Sequence, residues 1–105
     1  MVSEGVRTVL SSMRKHNRRT MVQPAVLGIG SFDFECTAYD VSLGGIRIKA
    51  DLPVERNASV YVQMRHRLRQ NAKVVWAADG FMGLRFIDPP EKVKMGLGSL
   101  SNGLN

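Results

Sequence analysis

Cysteine is almost missing from this chain: 105 residues contain one, Cys36, so no internal disulfide can form. Its place on the apolar side of a strand-like alternation reads as a buried thiol. Histidine is scarce too. His16 and His66 lie among basic residues with no Cys or acidic cluster at ligand spacing, which argues against a metal site. No apolar run approaches membrane-spanning length and the N-terminus has no secretory apolar core, so a cytoplasmic protein is expected. Acids are few, 9 against 15 Lys and Arg, giving a net charge of +6. That balance favours an anionic partner over a cationic one, although surface charge also serves solubility alone. Enzymatic devices are lacking as well: no Ser-His-Asp or Cys-His set, no evidently poised carboxylate pair, and no phosphate-binding loop with its lysine and flanking glycines. The chain is not expected to be an enzyme.

What is present is the composition of one globular domain, 44% apolar and 23% charged. The chain is organised around the octet Tyr39-Asp40-Val41-Ser42-Leu43-Gly44-Gly45-Ile46. Before it, Asp33 to Tyr39 alternates polar and apolar side chains; after it, Ile46 to Ala50 does the same. The octet is a strand-to-strand corner. Asp40 and Ser42, two apart, project from one face of an extended backbone. Gly44 and Gly45 permit positive φ and leave main-chain N–H groups uncovered. A carboxylate, a hydroxyl and bare backbone suit a planar base with adjacent donors, such as guanine. They equally suit a corner in which Asp and Ser bond their own backbone.

Further strands read over Ala25 to Ile29 with Phe32, over Val60 to Arg65, over Leu68 to Ala77 with Val74 and Trp76 on one face, and over Phe81 to Ile87. Asp79-Gly80 signals a hairpin. About six strands with antiparallel turns, in so short a chain, dispose of their edges best as a small barrel. Asp88 reads as the N-cap of a closing helix, with Pro89 at its first position and Val93, Leu97 and Leu100 on one face. The layout expected is an N-terminal segment 1–13 with helical spacing, a basic mobile linker 14–22, a barrel 23–88, a helix 89–98 and a flexible tail 99–105. Trp76, Phe81, Met82 and the other methionines read as core. Arg65, Arg67 and Arg69 alternate and would share a face where the chain stays extended, either as a charged edge or as a docking surface for acidic protein or RNA.

Chemistry concentrates in the linker and the corner. Met13 to Thr20 carries four positive charges and no acid, so it repels itself unless a counter-ion arrives. Arg14 and Arg18 can both reach one ligand, and a planar guanidinium fork grips phosphate, bonds guanine O6 and N7, or stacks on a purine. A cationic clamp beside a carboxylate-hydroxyl-glycine corner fits an anionic guanine nucleotide.

The order Arg14-x-x-x-Arg18 then Asp40-x-Ser42-x-x-Gly45 resembles the PilZ domain signature. Pro24, the Val74-Val75-Trp76 strand and the Gly83-Leu84-Arg85-Phe86 strand fit the same pattern, over roughly residues 14 to 95. The resemblance implies a mainly all-β fold, a six-stranded antiparallel β-barrel with short N- and C-terminal helical segments. It also implies a bacterial receptor for the second messenger cyclic di-GMP, associated with motility or biofilm regulation. Carried over by position, Arg14 and Arg18 would hold phosphate and guanine, while Asp40, Ser42 and Gly45 would line the guanine pocket. Lys15, Arg19 and Gly44 stand beside the motif as further ligand contacts. Binding would order the linker and change a surface that a partner protein reads. Two other readings remain: a small basic barrel binding RNA or single-stranded nucleic acid, and a PilZ-fold interaction module without ligand.

Overall fold

The computed structural model describes residues 17–105. Six strands run in chain order: β1 Arg19–Ile29, β2 Phe32–Val41, β3 Gly45–Lys49, β4 Ser59–Met64, β5 Gln70–Ala78 and β6 Phe81–Phe86. Every neighbouring pair is antiparallel, and β1 pairs with β4 as well as β2, closing the order β1-β2-β3-β6-β5-β4 into a barrel. The barrel expected from the sequence is therefore the fold. Closure gives each strand a neighbour on both sides, and alternation sorts the side chains. Leu27, Ala38, Ile46, Ile48, Val62, Val74, Met82 and Leu84 point inward and are buried.

Two tight hairpins fix the register. Asp79 and Gly80 both adopt positive φ, 56° and 81°, and join Ala78 to its partner Phe81. Gly30, at φ 61°, turns β1 into β2, so Phe32 starts the second strand and is exposed, outside the first strand where the sequence pattern had placed it.

Helix α1, Pro90–Leu97, closes the end of the barrel where β1 begins and β2 ends, burying Val93 and Leu97. Asp88 is not its N-cap. Pro89 takes that position with extended backbone and no side-chain cap, while Asp88 accepts the Asn71 N–H at 3.3 Å and pairs with Lys92 at 3.7 Å. The segment expected to be a flexible tail is packed: Gly98–Ser101 forms a 3-10 helix, Ser101 Oγ donates to the Gly98 carbonyl at 2.6 Å, and Leu104 is buried in the core.

Other expectations change for reasons of strand parity. Trp76 is not core. The pair Val74↔Leu84 is followed by Trp76↔Gly83, so Val75 is an extra residue on β5. That bulge turns Trp76 outward, 44% exposed, while Val74 stays inside. Phe81 is half-buried on the outer wall, and Met95 on α1 is exposed, whereas Met21, Met64 and Met82 are core. The arginine run does not share a face either. His66 takes φ 61° and breaks the extended chain. Arg67 then donates to Ser99 Oγ at 2.7 Å, and Arg69 lies 3.8 Å from the ring centroid of Tyr61. Tyr61 itself lies across bare Gly28 and donates to the Asp33 carboxylate. Cys36 is half-buried, and burial pushes its thiol pKa up to about 11.

Candidate functional site

The basic segment read over 14–22 becomes strand from Arg19 onward, because Met21 is drawn into the core and Arg19 and Thr20 pair with Val41 and Asp40. Arg14, Lys15 and the segment 1–13 lie outside the described residues. What the structure does place is the approach to β1, and it alternates. Arg18 points to the outer wall, where its guanidinium donates to Asp40 Oδ1 at 2.9 Å. Its two neighbours turn the other way. Asn17 donates to the Gly103 carbonyl at 2.7 Å and accepts the Asn105 N–H at 2.9 Å. Arg19 donates to the carbonyls of Leu100 and Asn102 at 3.2 and 3.4 Å. Arg19 is thus engaged with the C-terminal segment and not with Asp40.

Asp40 sits at the centre of three strands. It faces Thr20 on β1 and Arg47 on β3, with a register shift in β1 between Thr20 and Gln23 and another in the β2–β3 pairing between Ala38 and Asp40. Such bulges re-aim side chains next to sites. The carboxylate is largely covered, its side chain 16% exposed, between two more open arginines. Arg47 Nε lies 3.0 Å from Oδ2, an electrostatic approach without hydrogen-bond alignment. Arg47 also stands 5.5 Å above the Phe81 ring, which Tyr39 meets edge-on at 5.7 Å. Arg18 and Arg47 together neutralise Asp40, each holding one oxygen.

The corner below Asp40 is built by its own backbone. Ser42 Oγ accepts the N–H groups of Gly44 and Gly45 at 3.1 and 3.2 Å, and the Ser42 N–H reaches the Gly45 carbonyl at 2.8 Å. Neither glycine uses positive φ, and their N–H groups are occupied by the hydroxyl. Gly45 is needed for another reason: a Cβ there would collide with the carbonyl oxygen of Leu84 on β6. The Gly44 carbonyl accepts the Phe86 N–H at 2.9 Å, tying the corner to that strand. Ser42, Gly44 and Gly45 therefore hold the corner's shape, and Asp40 with Arg18 lies on the outer wall beside it.

Arg47 was not singled out as a site residue by motif reading. Hairpin counting finds it: with Ser42 to Gly45 as the turn, Val41 faces Ile46 and Asp40 faces Arg47. Among the described residues no group of three His, Cys, Asp or Glu side chains is placed to hold a metal ion, and no helix is long and apolar enough to cross a membrane.

The profile of the PilZ domain matches residues 12–103, nearly the whole chain. The chain belongs to the PilZ domain family. Solved structures agree on the fold. The PilZ domain of CeSA from a cellulose-synthesizing bacterium is 20% identical with a TM-score of 0.66, the alignment covering 77% of this chain and 91% of that one. The PlzA protein of Borreliella burgdorferi, solved in complex with c-di-GMP, is 12% identical with a TM-score of 0.62, over 91% of this chain and 48% of PlzA. No curated protein matches the sequence.

Proposed function

We propose that this PilZ domain is a receptor for cyclic di-GMP, with Asp40 and Arg18 as the recognising pair. One observation carries the reading: the two halves of the motif, 22 residues apart in sequence, meet as a 2.9 Å ion pair on the outer wall. Family membership supports it, as does the fold shared with PlzA, itself solved with c-di-GMP. Guanine presents two adjacent N–H donors, and a carboxylate with two oxygens accepts both. In the free protein those oxygens are taken by Arg18 and Arg47. The ligand exchanges one arginine for a base, and the released Arg18 fork turns to a phosphate or to guanine O6 and N7. Arg14, with Lys15 beside it, supplies further positive charge for the phosphates. The function expected is binding and not catalysis.

The signalling step follows from alternation at the start of β1. A ligand that draws Arg18 away from Asp40 acts on Asn17 and Arg19, and both are bonded to residues 100–105. The changed surface at the N-terminal and C-terminal segments is what a partner protein reads. Releasing Arg18 from Asp40 and disturbing the contacts of Asn17 and Arg19 takes up part of the binding energy, so high-nanomolar to micromolar affinity is expected.

The test is isothermal titration with cyclic di-GMP at physiological salt, with GTP and a short single-stranded RNA as controls. Saturable heat for cyclic di-GMP alone, abolished in Arg14→Ala/Arg18→Ala, supports the receptor and gives the stoichiometry. Equal binding of GTP or RNA, or no binding of cyclic di-GMP, refutes it.

A further inference from the structure

The arginine run from Arg65 to Arg69 has no part in the site around Asp40, and it has a setting of its own. β4 ends at Met64, where the chain doubles back: the Arg67 N–H donates to the Met64 carbonyl at 3.0 Å, and the Gln63 side-chain amide donates to the Arg67 carbonyl at 2.9 Å. The turn so formed is fastened to the last turn of α1. The Leu68 N–H donates to the Gly96 carbonyl at 3.1 Å, an acceptor that the ending helix leaves free. Arg67 crosses bare Gly98 to reach Ser99 Oγ, and its charge suits the negative end of the helix. The buried Gln70 side chain fills the space beside Gly96, where a Cβ would collide with it. Turn and helix therefore make one fixed surface.

That surface leaves two large apolar side chains in solvent. Leu68 is 61% exposed although its N–H is committed to the helix, and Met95 is 75% exposed. Met95 is two residues from both Val93 and Leu97, on the opposite side of the helix from the face that they bury. It adjoins Gly96, whose carbonyl holds Leu68, so the two exposed side chains start from neighbouring backbone. Cations flank them: Arg65, Arg67 and Arg69 on the turn, Lys92 and Lys94 on the helix. The acids of this region are Asp88, already paired with Lys92, and Glu91. Among the described residues, Arg65, Arg69 and Lys94 have no acidic side chain at ion-pair distance.

We propose that the β4–β5 turn and the outer face of α1 form a docking surface for an acidic amphipathic segment of a partner protein. Its apolar side chains cover Leu68 and Met95, and its Asp and Glu side chains meet the surrounding Arg and Lys, an apolar centre within a charged rim. Leucine and methionine supply adaptable apolar contact, but neither has the ring on which single-stranded RNA bases stack. One outward apolar residue on α1, with Glu91 on the same short helix, is too little for a helix lying in a lipid interface. The surface ends at Ser99, next to the carbonyls of Leu100 and Asn102 that hold Arg19. It adjoins the ligand-sensitive segment, contains neither Arg18 nor Asp40, and does not depend on the receptor reading.

The probe is a fluorescein-labelled peptide of about 18 residues, five turns of helix, with Leu at helical spacing on a Glu background, and its counterpart with Ser in place of Leu. Anisotropy at physiological salt should show saturable binding of the Leu peptide and at least about tenfold weaker binding of the Ser peptide. Leu68→Ser/Met95→Ser should lower affinity by a similar factor. Lys94→Glu should weaken it severalfold, whereas Arg56→Glu, the same charge change in the loop between β3 and β4, should not. Circular dichroism of each variant verifies the barrel. No saturable binding, equal binding of the Ser peptide, an equal effect of Arg56→Glu, or tighter binding of phosphatidylglycerol vesicles or oligouridylate than of the Leu peptide overturns the docking surface. Calorimetry with cyclic di-GMP keeps the two readings apart. Leu68→Ser/Met95→Ser should bind it as the unmodified protein does, and a loss there would move these residues into the ligand's own site and overturn the assignment. Absence of cyclic di-GMP binding in the unmodified protein overturns the receptor alone.

Discussion

Gly45→Ala separates two reasons why a glycine can be required at a binding corner. If the glycine only clears space for a ligand, the variant folds normally and loses affinity. The structure predicts otherwise. Gly45 pairs with Arg85 in the β3–β6 ladder, and its added methyl collides with the Leu84 carbonyl oxygen, a backbone atom that no rotamer change can remove. The strands must separate. Overpacking of this kind costs about 1–3 kcal/mol, and loosening the adjacent Phe86 N–H to Gly44 carbonyl bond, now 2.9 Å, adds about 1 kcal/mol. Replacing glycine also restricts the unfolded chain, returning about 0.4–1 kcal/mol, since no positive φ is involved. The net is about 2–3 kcal/mol. For a domain of this size that lowers Tm by roughly 10–20 °C. Thermal unfolding by circular dichroism, without ligand, measures it directly. A Tm within a few degrees of the unmodified protein would show that the ladder absorbs the methyl and that the argument from backbone crowding is wrong.

Ser42→Ala leaves the N–H groups of Gly44 and Gly45 without their acceptor, so Tm should fall by the equivalent of about 1–2 kcal/mol; an unchanged Tm would show that the hydroxyl is dispensable to the corner. Arg18→Ala should behave oppositely. Its pair with Asp40 is an exposed one, worth about 0–1 kcal/mol, so Tm should scarcely move while affinity for cyclic di-GMP in calorimetry falls at least about tenfold. A large loss of Tm would mean that Arg18 is structural. Cys36 has its thiol pKa raised from 9.0 to about 11 by burial. The folded protein therefore keeps the proton between these values while the unfolded chain loses it, so stability is full below pH 9 and declines as pH rises toward 11. Comparing Tm for the unmodified protein and Cys36→Ala at pH 8 and pH 10 checks the sign: the alkaline loss should be smaller in the variant.

Strand existence was legible because this barrel obeys period two almost everywhere. Ile46 and Ile48, Val60 and Val62, and Leu84 and Phe86 are apolar at alternate positions, and all are buried. Asp79-Gly80 announced its own turn through the positive φ that both residues adopt. Where reading failed, long-range contacts had overruled local signals. Nothing near Ser99 to Asn105 marks them as ordered; their order comes from Leu104 in the core and from Asn17 and Arg19, more than eighty residues away, bonding their backbone. Asp88 has cap chemistry, but the Asn71 N–H at the barrel rim engages it instead.

The site divides along the same line. Asp40, Arg18 and the Ser42 to Gly45 corner could be marked as important from residue type and spacing, yet spacing could not separate the groups that hold the turn from those that do not. That distinction depends on which N–H groups the Ser42 hydroxyl has already taken and on how near β6 runs to Gly45. Trp76 was read as core because a tryptophan in a strand beside Val74 shares its parity with the interior. One inserted residue, Val75, reverses that parity, and a β-bulge leaves no dependable trace in composition. The same slip brings the indole over Gly83, in the row with Arg47 and Asp40. The bulge that made Trp76 unreadable as a surface residue is thus the feature that sets it in line with Asp40 across β6 and β3.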